Sequence, residues 1–258
     1  MNTAVTFRQW VKARDGRLAG AIYRVAIAVR GASVPVIPGV HRALYALHRC
    51  AADGWANLKR IVWITPLFQS RLERPANRLY CYGGMPLVLG PVRMAFGDDV
   101  RISGQTTISG RSASVQAPRL TVGNNVDIGW QTTIAVGHRV DIGNNVRIAG
   151  RAFLAGYPGH PLNAAARAAG APDTEDQIGD IVLEDDVWLA TGVTVSAGVR
   201  IGRGTIVAAG SVVTSDLPSN VLAAGVPARV VRSLIAHCDP AVLAGAAKAQ
   251  PDARERVA

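Results

Sequence analysis

Residues 181–234 read IVLEDDVWLATGVTVSAGVRIGRGTIVAAGSVVTSDLPSNVLAAGVPARVVRSL. From Leu183 onward an aliphatic residue recurs at every sixth position: Leu183, Leu189, Val195, Ile201, Val207 and Val213. An α-helix of 3.6 residues per turn cannot keep such a stripe on one face, whereas six residues are three strand alternations. Short strands separated by sharp turns satisfy the spacing. If three such hexads close one triangular coil, the aliphatic residues all point inward, and stacked coils share parallel-sheet hydrogen bonds about 4.8 Å apart. Each coil then covers the apolar floor of the one before it.

The same frame runs upstream through Val122, Ile128 and Ile134 and restarts at Ile142, Ile148 and Leu154. RLTVGNNVDIG at 119–129 nearly superposes on RVDIGNNVRIA at 139–149, an offset of twenty residues. The two residues in excess of three hexads are expected to bulge near Gly137 and His138. Gly123, Asn124, Asn125, Gly143, Asn144 and Asn145 fall at corners, where Gly and Asn tolerate the positive φ of tight turns.

Composition agrees with this reading. Charged residues make up 18% of the 258 and aromatics 5%, so the interior is filled by small aliphatic side chains and wholesale disorder is excluded. Cys50, Cys81 and Cys238 are odd in number and far apart, with no metal-ligand spacing, so neither a disulfide framework nor a metal site is expected and all three read as structural. A reducing compartment follows. The first residues, MNTAVTFRQWVKARDGR, lack a secretory pattern, and no stretch approaches the roughly 18–20 apolar residues of a spanning helix, so the chain is expected in the cytoplasm.

These repeats resemble the hexapeptide-repeat acyltransferases, over about Met94 to Leu234 and most specifically over 181–234, whose NVLAAGVPARVVR is similar to the closing segment of sugar and polysaccharide O-acetyltransferases. The resemblance implies a mainly β fold: a left-handed parallel β-helix with an N-terminal helical extension. Three segments follow: residues 1–93 as a basic, mostly helical extension, 94–234 as the β-helix with a loop at 156–180, and 235–258 as a tail with a short helix.

The loop opens with Tyr157-Pro158-Gly159-His160-Pro161. In the resembling sugar acetyltransferases a His-Pro pair at this place supplies the catalytic base, which points to His160. The chemistry suits an imidazole: acyl transfer from a thioester to an alcohol needs a hydroxyl proton removed as attack occurs, and the side chain's ordinary pKa of about 6.5 serves that near neutral pH. The family also places an Asn on the preceding coil; here Gly129 stands at that position, with Trp130 and Gln131 beside it. Trp130, Gln131 and Tyr157 are the candidate acceptor contacts, and Trp130 and Gln131 are equally read as plain corner residues. A carboxylate that orients the imidazole cannot be ranked among Asp127, Asp141 and the loop acids.

For the donor the resemblance implies acetyl-CoA as co-substrate, lying between neighbouring prisms of a homotrimer, with no metal. The matching positions are Trp188, Ala190, Thr191, Ala209, Thr214, Ser215, Arg229 and Arg232; Ser215 stands where relatives often carry Lys. The function implied is acetyl transfer to a hydroxyl of a free or lipid-linked saccharide, such as a cell-surface or exopolysaccharide precursor. A serine O-acetyltransferase-like enzyme and a non-catalytic β-helical scaffold are the alternatives.

Charge is concentrated at the start. Residues 1–93 hold fourteen Lys/Arg against Asp15, Asp53 and Glu73, while the remainder is close to balance. Phe7 to Arg30 reads as a partly amphipathic helix, and Val40 to Leu58 as a second one set off by Pro35 and Pro38. This pattern fits peripheral contact with the anionic inner face of a membrane, a helical cap, or an oligomer contact, and leaves the three open. Nucleic acid is not expected, because no recognition motif or aromatic platform accompanies the charge.

Overall fold

A computed structural model describes residues 3–14 and 16–234; the expected tail helix and Cys238 lie outside the described residues. The chain divides into two compact units, residues 1–54 and 55–258.

In the first unit, helices α1 (Thr3–Ala13) and α2 (Gly16–Gly31) pack on one another. The continuous helix expected over Phe7 to Arg30 is therefore two. Arg14 and Gly16 both take positive φ, +56° and +85°, which an α-helix cannot contain. Gly16 is the local signal for that break. The Phe7 and Trp10 rings meet tilted at 38° with 5.8 Å between centres, and the Arg14 guanidinium lies 4.2 Å from the Tyr23 ring centre. Helix α3 (Pro38–Lys59) follows the two prolines as expected, with Pro38 in its first turn, where a missing N–H costs nothing.

The second unit is a three-sided parallel β-helix, as the six-residue period requires. Sheet I holds Arg93–Phe96, Arg119–Val122, Arg139–Ile142, Ile181–Leu183 and Arg200–Ile201 in that order. Sheet II runs Tyr80–Tyr82, Arg101–Ser103, Asp127–Ile128, Arg147–Ile148, Trp188–Leu189, Ile206–Val207 and Val221–Gly225, and ends in the antiparallel strand Ala228–Ser233. Sheet III holds Leu87–Leu89, Thr107–Gly110, Thr133–Val136, Phe153–Ala155, Thr194–Ser196 and Val212–Val213. The chain passes from I to II to III once per coil. Two of these strands, at 80–82 and 87–89, precede Met94, so the coils begin ahead of the segment that resembles the repeats.

Register shows where the repeat is pure and where it is interrupted. Leu183 pairs with Ile201, three hexads on, and Trp188 with Ile206 likewise. Asp127 pairs with Arg147, the twenty-residue offset, with Gly137 and His138 between strands as expected. Arg93 pairs with Arg119 because residues 111–118 leave the coil, and Val140 pairs with Ile181 across the 156–180 loop. The sixth-position residues Val122, Ile128, Ile134, Ile142, Ile148, Leu154, Leu183, Leu189, Val195, Ile201, Val207 and Val213 are all buried. Truncating one of the Leu or Ile residues to Ala costs about 2–5 kcal/mol in so fully buried a core. Ile64, Phe68 and Leu72 close the N-terminal end of that core, Phe68 meeting Phe96 edge-on at 5.8 Å.

The corner between sheets I and II is a side-chain ladder. Asn125 Nδ2 donates to Asn145 Oδ1 at 2.9 Å, and Asn145 Nδ2 to Asp186 Oδ1 at 3.0 Å. Asn125 and Asn145 take φ of +53° and +57°, as the corner reading predicts.

Candidate active site

Two other prism edges carry the candidate residues. The edge between sheets II and III stacks Trp130-Gln131, Gly150-Arg151, Thr191-Gly192 and Ala209-Gly210 on successive coils. Its rungs are backbone hydrogen bonds: Arg151 N to Trp130 O at 2.8 Å, Gly192 N to Gly150 O at 3.0 Å, and Gly210 N to Thr191 O at 2.9 Å. Gln131 and Arg151 hold positive φ there, +55° and +62°. Trp130 is 41% exposed, and its ring lies against the Arg151 guanidinium at 4.8 Å. A shallow groove of about 330 Å³ on the sheet II side brings Trp130, Trp188 and Thr191 together with Tyr82, Asp127 and Arg147. Acceptor and donor candidates thus share one surface.

Gly129 occupies the place of the expected Asn for a packing reason. A Cβ there would stand 2.6 Å from Gly150 N and 2.8 Å from Ile148 O, closer than the next coil allows. The side chains that follow it at this rung are Trp130 and Gln131, one and two residues later.

The edge between sheets III and I carries the other candidates. Gly156 ends the strand Phe153–Ala155 and begins the loop; farther along the same edge Thr214 and Ser215 follow the strand Val212–Val213. His160 is exposed, its carbonyl accepts from Gln177 Nε2 at 3.2 Å, and among the described residues its ring has no hydrogen-bond partner. The ring is therefore free to meet a substrate. Tyr157 donates its hydroxyl to Ser109 Oγ at 3.1 Å, which turns it back onto sheet III. Ala190 is half-buried, with its N–H donated to Val207 O at 2.9 Å. Arg229 and Arg232 lie exposed on the last strand, Arg229 Nη1 donating to Ala228 O at 2.8 Å. His160 is not among the residues lining the Trp130 groove; sheet III lies between the two edges within one chain.

Most of the candidate carboxylates are paired: Asp180 meets Arg139 at 3.3 Å, and among the described residues Asp176 has no hydrogen-bond or ion-pair partner. Asp127 pairs with Arg101 at 3.2 Å and Asp141 with Arg139 at 3.2 Å. Asp173, 3% exposed, receives Arg111 Nε at 2.5 Å and the Gly159 N–H at 3.0 Å. Arg111 also donates to Glu175 Oε1 at 2.6 Å, and Glu175 Oε2 meets His138 Nε2 at 2.9 Å. The Arg111 and His138 bonds hold the Glu175 carboxyl below the ordinary glutamate range. The reading of the sequence missed Arg111. Its signal is the break of period between Gly110 and Arg119, where a coil of sixfold spacing would have continued.

Burial pushes the Cys81 thiol up to about 11, so it is no nucleophile near neutral pH. Among the described residues no group of three His, Cys, Asp or Glu side chains is placed to hold a metal.

Comparison with known proteins agrees with the repeat. Residues 180–215 match the family described as bacterial transferase hexapeptide (six repeats). The chain is 37% identical over 132 residues to a galactoside O-acetyltransferase of Escherichia coli (strain K12), covering 48% of this chain and 63% of that protein. The chain therefore spans less than two thirds of that relative's length. Among solved structures, a hexapeptide-repeat containing acetyltransferase from Vibrio cholerae is 28% identical, covering 66% of this chain and 78% of its own, at a TM-score of 0.36. AntD, an N-acyltransferase from Bacillus cereus in complex with dTDP and 3-hydroxybutyryl-CoA, is 14% identical, covering 70% and 95%, at a TM-score of 0.49.

Proposed function

We propose that this hexapeptide-repeat protein is an acetyl-CoA-dependent O-acetyltransferase that acts on a saccharide hydroxyl, with His160 as general base. The observation that carries the reading is the exposed, unpartnered ring of His160, held by its backbone at the edge of sheet III. Similarity to a galactoside O-acetyltransferase supports the reaction class and the kind of acceptor.

In this mechanism His160 accepts the acceptor's hydroxyl proton as the oxygen attacks the thioester carbonyl. The tetrahedral intermediate collapses to the acetyl ester, the C–S bond breaks, and the proton passes from the imidazolium to the departing thiolate. No acyl-enzyme is needed. The Trp130 face suits a sugar ring, with Gln131 beside it and Tyr157 supplied from the other edge across the shared site. Trp188, Ala190, Thr191, Ala209, Thr214 and Ser215 border the donor's path, and Arg229 or Arg232 meets its phosphates. Candidates on two edges with sheet III between them favour a site shared by neighbouring chains of a homotrimer. A scaffold has no use for an anchored loop carrying a free imidazole, and Gly129 has a steric reason that owes nothing to a loss of catalysis.

The acceptor is best read as lipid-linked, with the N-terminal region lying against the inner face of the membrane. Supporting this are the fourteen Lys/Arg against three acids in residues 1–93 and the Arg17, Arg24 and Arg30 of α2 among exposed Leu18, Val25 and Val29. Among the described residues no helix is long and apolar enough to cross a membrane. The full chain should cosediment with vesicles containing phosphatidylglycerol and not with phosphatidylcholine alone; equal binding to both would remove the electrostatic basis.

Thiol release from acetyl-CoA, followed with galactosides, other saccharides and free serine in parallel, tests the reaction. Release that depends on a saccharide supports the reading, and release only with serine replaces it by the serine O-acetyltransferase alternative.

A further inference from the structure

The 156–180 loop takes little of its shape from the hydrophobic core. None of its residues belongs to the buried apolar cluster, the short helix Ala164–Ala168 buries no side chain, and Leu162 is 79% exposed. Pro161 is buried and Ile178 half-buried over Gly137, and a segment of this length with so few apolar anchors is expected to sample many conformations unless polar contacts fix it. Such contacts are present, and they converge on one buried pair.

Arg111, 4% exposed, follows the strand Thr107–Gly110 and so stands on the rigid wall of sheet III. Its Nε reaches Asp173 Oδ1 at 2.5 Å and its Nη2 reaches the Asp173 carbonyl at 2.8 Å, which fixes both the side chain and the backbone of Asp173. The other oxygen of that carboxylate takes the Gly159 N–H at 3.0 Å. Gly159 precedes His160 and holds φ at +80°, so this bond sets the direction in which the chain delivers the imidazole. From the far end of the loop, Thr174 N and Oγ1 donate to Gln177 Oε1 at 3.1 and 2.9 Å, which turns Gln177 Nε2 onto the His160 carbonyl at 3.2 Å. The peptide unit that ends at Gly159 N and the one that begins at the His160 carbonyl are thereby tied, through Asp173 and its neighbours, to one arginine of the β-helix.

We propose that Arg111 and Asp173 are a positioning pair for the general base: they touch no reacting atom, and they set the backbone from which His160 reaches the acceptor. This rests on the reading of His160 as base. A displacement of about 1 Å at a reacting group can cost on the order of a hundredfold in rate. Loss of the pair therefore acts on turnover, whereas donor affinity, set elsewhere on the coils, stays in place.

The experiment compares wild type with Asp173→Asn, Arg111→Met and the double variant, with Arg111→Lys as the conservative replacement. Two readouts are taken on the full chain: hydrogen exchange of the peptide spanning 157–163, and kcat and KM for acetyl-CoA by thiol release. Expected are exchange at 157–163 faster by about tenfold or more with the coil peptides unchanged, and kcat lower by about 10- to 100-fold with KM for acetyl-CoA within about twofold. The double variant should be no worse than the worse single one, since the two side chains act as one unit. Arg111→Lys should recover part of kcat. Unchanged exchange at 157–163 in every variant would overturn the pair as an anchor. Faster exchange with unchanged kcat would overturn it as a device of catalysis. Because the exchange measurement needs no activity, it decides the anchoring role even if His160→Ala turns over normally and the base assignment falls.

Discussion

The guanidinium of Arg151 lies 4.8 Å from the centre of the Trp130 ring, one coil away along the edge between sheets II and III. A cation against an aromatic face contributes about 0.5–1 kcal/mol at an exposed site, enough to favour one ring orientation without holding the fold. Gly150 completes the arrangement: a Cβ there would come within 2.7 Å of Trp130 Cε2 and Nε1.

Trp130→Ala should therefore raise the KM for a saccharide acceptor by about tenfold, near the worth of an aromatic contact, with kcat little changed. Arg151→Ala should do the same more weakly. Acceptor titrations in the thiol-release assay check both, and an acceptor KM unmoved by Trp130→Ala would place the sugar elsewhere.

Substitution of Gly129 by Asn would test why the Asn expected from the resemblance is missing at this rung. The added Cβ meets backbone atoms of the next coil at 2.6 and 2.8 Å, and backbone cannot step aside as a flexible side chain can. The variant is expected to lose about 1–3 kcal/mol of stability by overpacking and to gain no activity. Thermal unfolding and acceptor kinetics measured together are the check.

Acid should weaken the fold through its surface carboxylates. Glu184 accepts the Arg203 backbone N–H and Arg200, and its pKa lies below the ordinary glutamate value of 4.5; Asp98, bonded by Asn77, and Glu175, bonded by Arg111, are lowered in the same sense. A carboxyl lowered on folding contributes stability that is present in full above its unfolded value and lost as pH falls through its folded one. The unfolding temperature should thus be level near neutrality and decline as pH drops below about 4.5, with the decline continuing under that value. A temperature that rose on acidification would contradict the assignment of these pairs.

Cys50 is exposed and Cys81 is buried, its thiol raised to about 11 by desolvation. An alkylating reagent at neutral pH should modify Cys50 in the folded protein and reach Cys81 only on unfolding, without loss of activity. Peptide mapping before and after denaturation reads this out. Rapid modification of Cys81 in the folded state would show that the N-terminal end of the core is open.

The prism was legible because its signal is periodic and covalent in origin: Leu183 to Val213 at every sixth place leaves one way to bury all six side chains. The Asn corners were legible for the same reason, since Asn125 and Asn145 repeat at the coil offset. What the sequence hid were contacts between residues far apart along it. Arg111 and Asp173 are separated by an inserted segment and two coils, and no spacing rule links them. The division of α1 from α2 rests on Gly16, a single residue inside an otherwise helical pattern. The distribution of candidates over two edges was equally hidden, because it depends on which side of the prism each corner faces rather than on residue type.

The central claim is that the imidazole of His160 takes the acceptor's proton. The measurement that bears on it most directly is kcat for acetyl transfer by His160→Ala beside wild type, with unfolding temperature and KM for acetyl-CoA taken on the same samples. The account predicts a fall in kcat of about 10²- to 10⁴-fold with the other two quantities unchanged. A variant that turns over at the wild-type rate would contradict it.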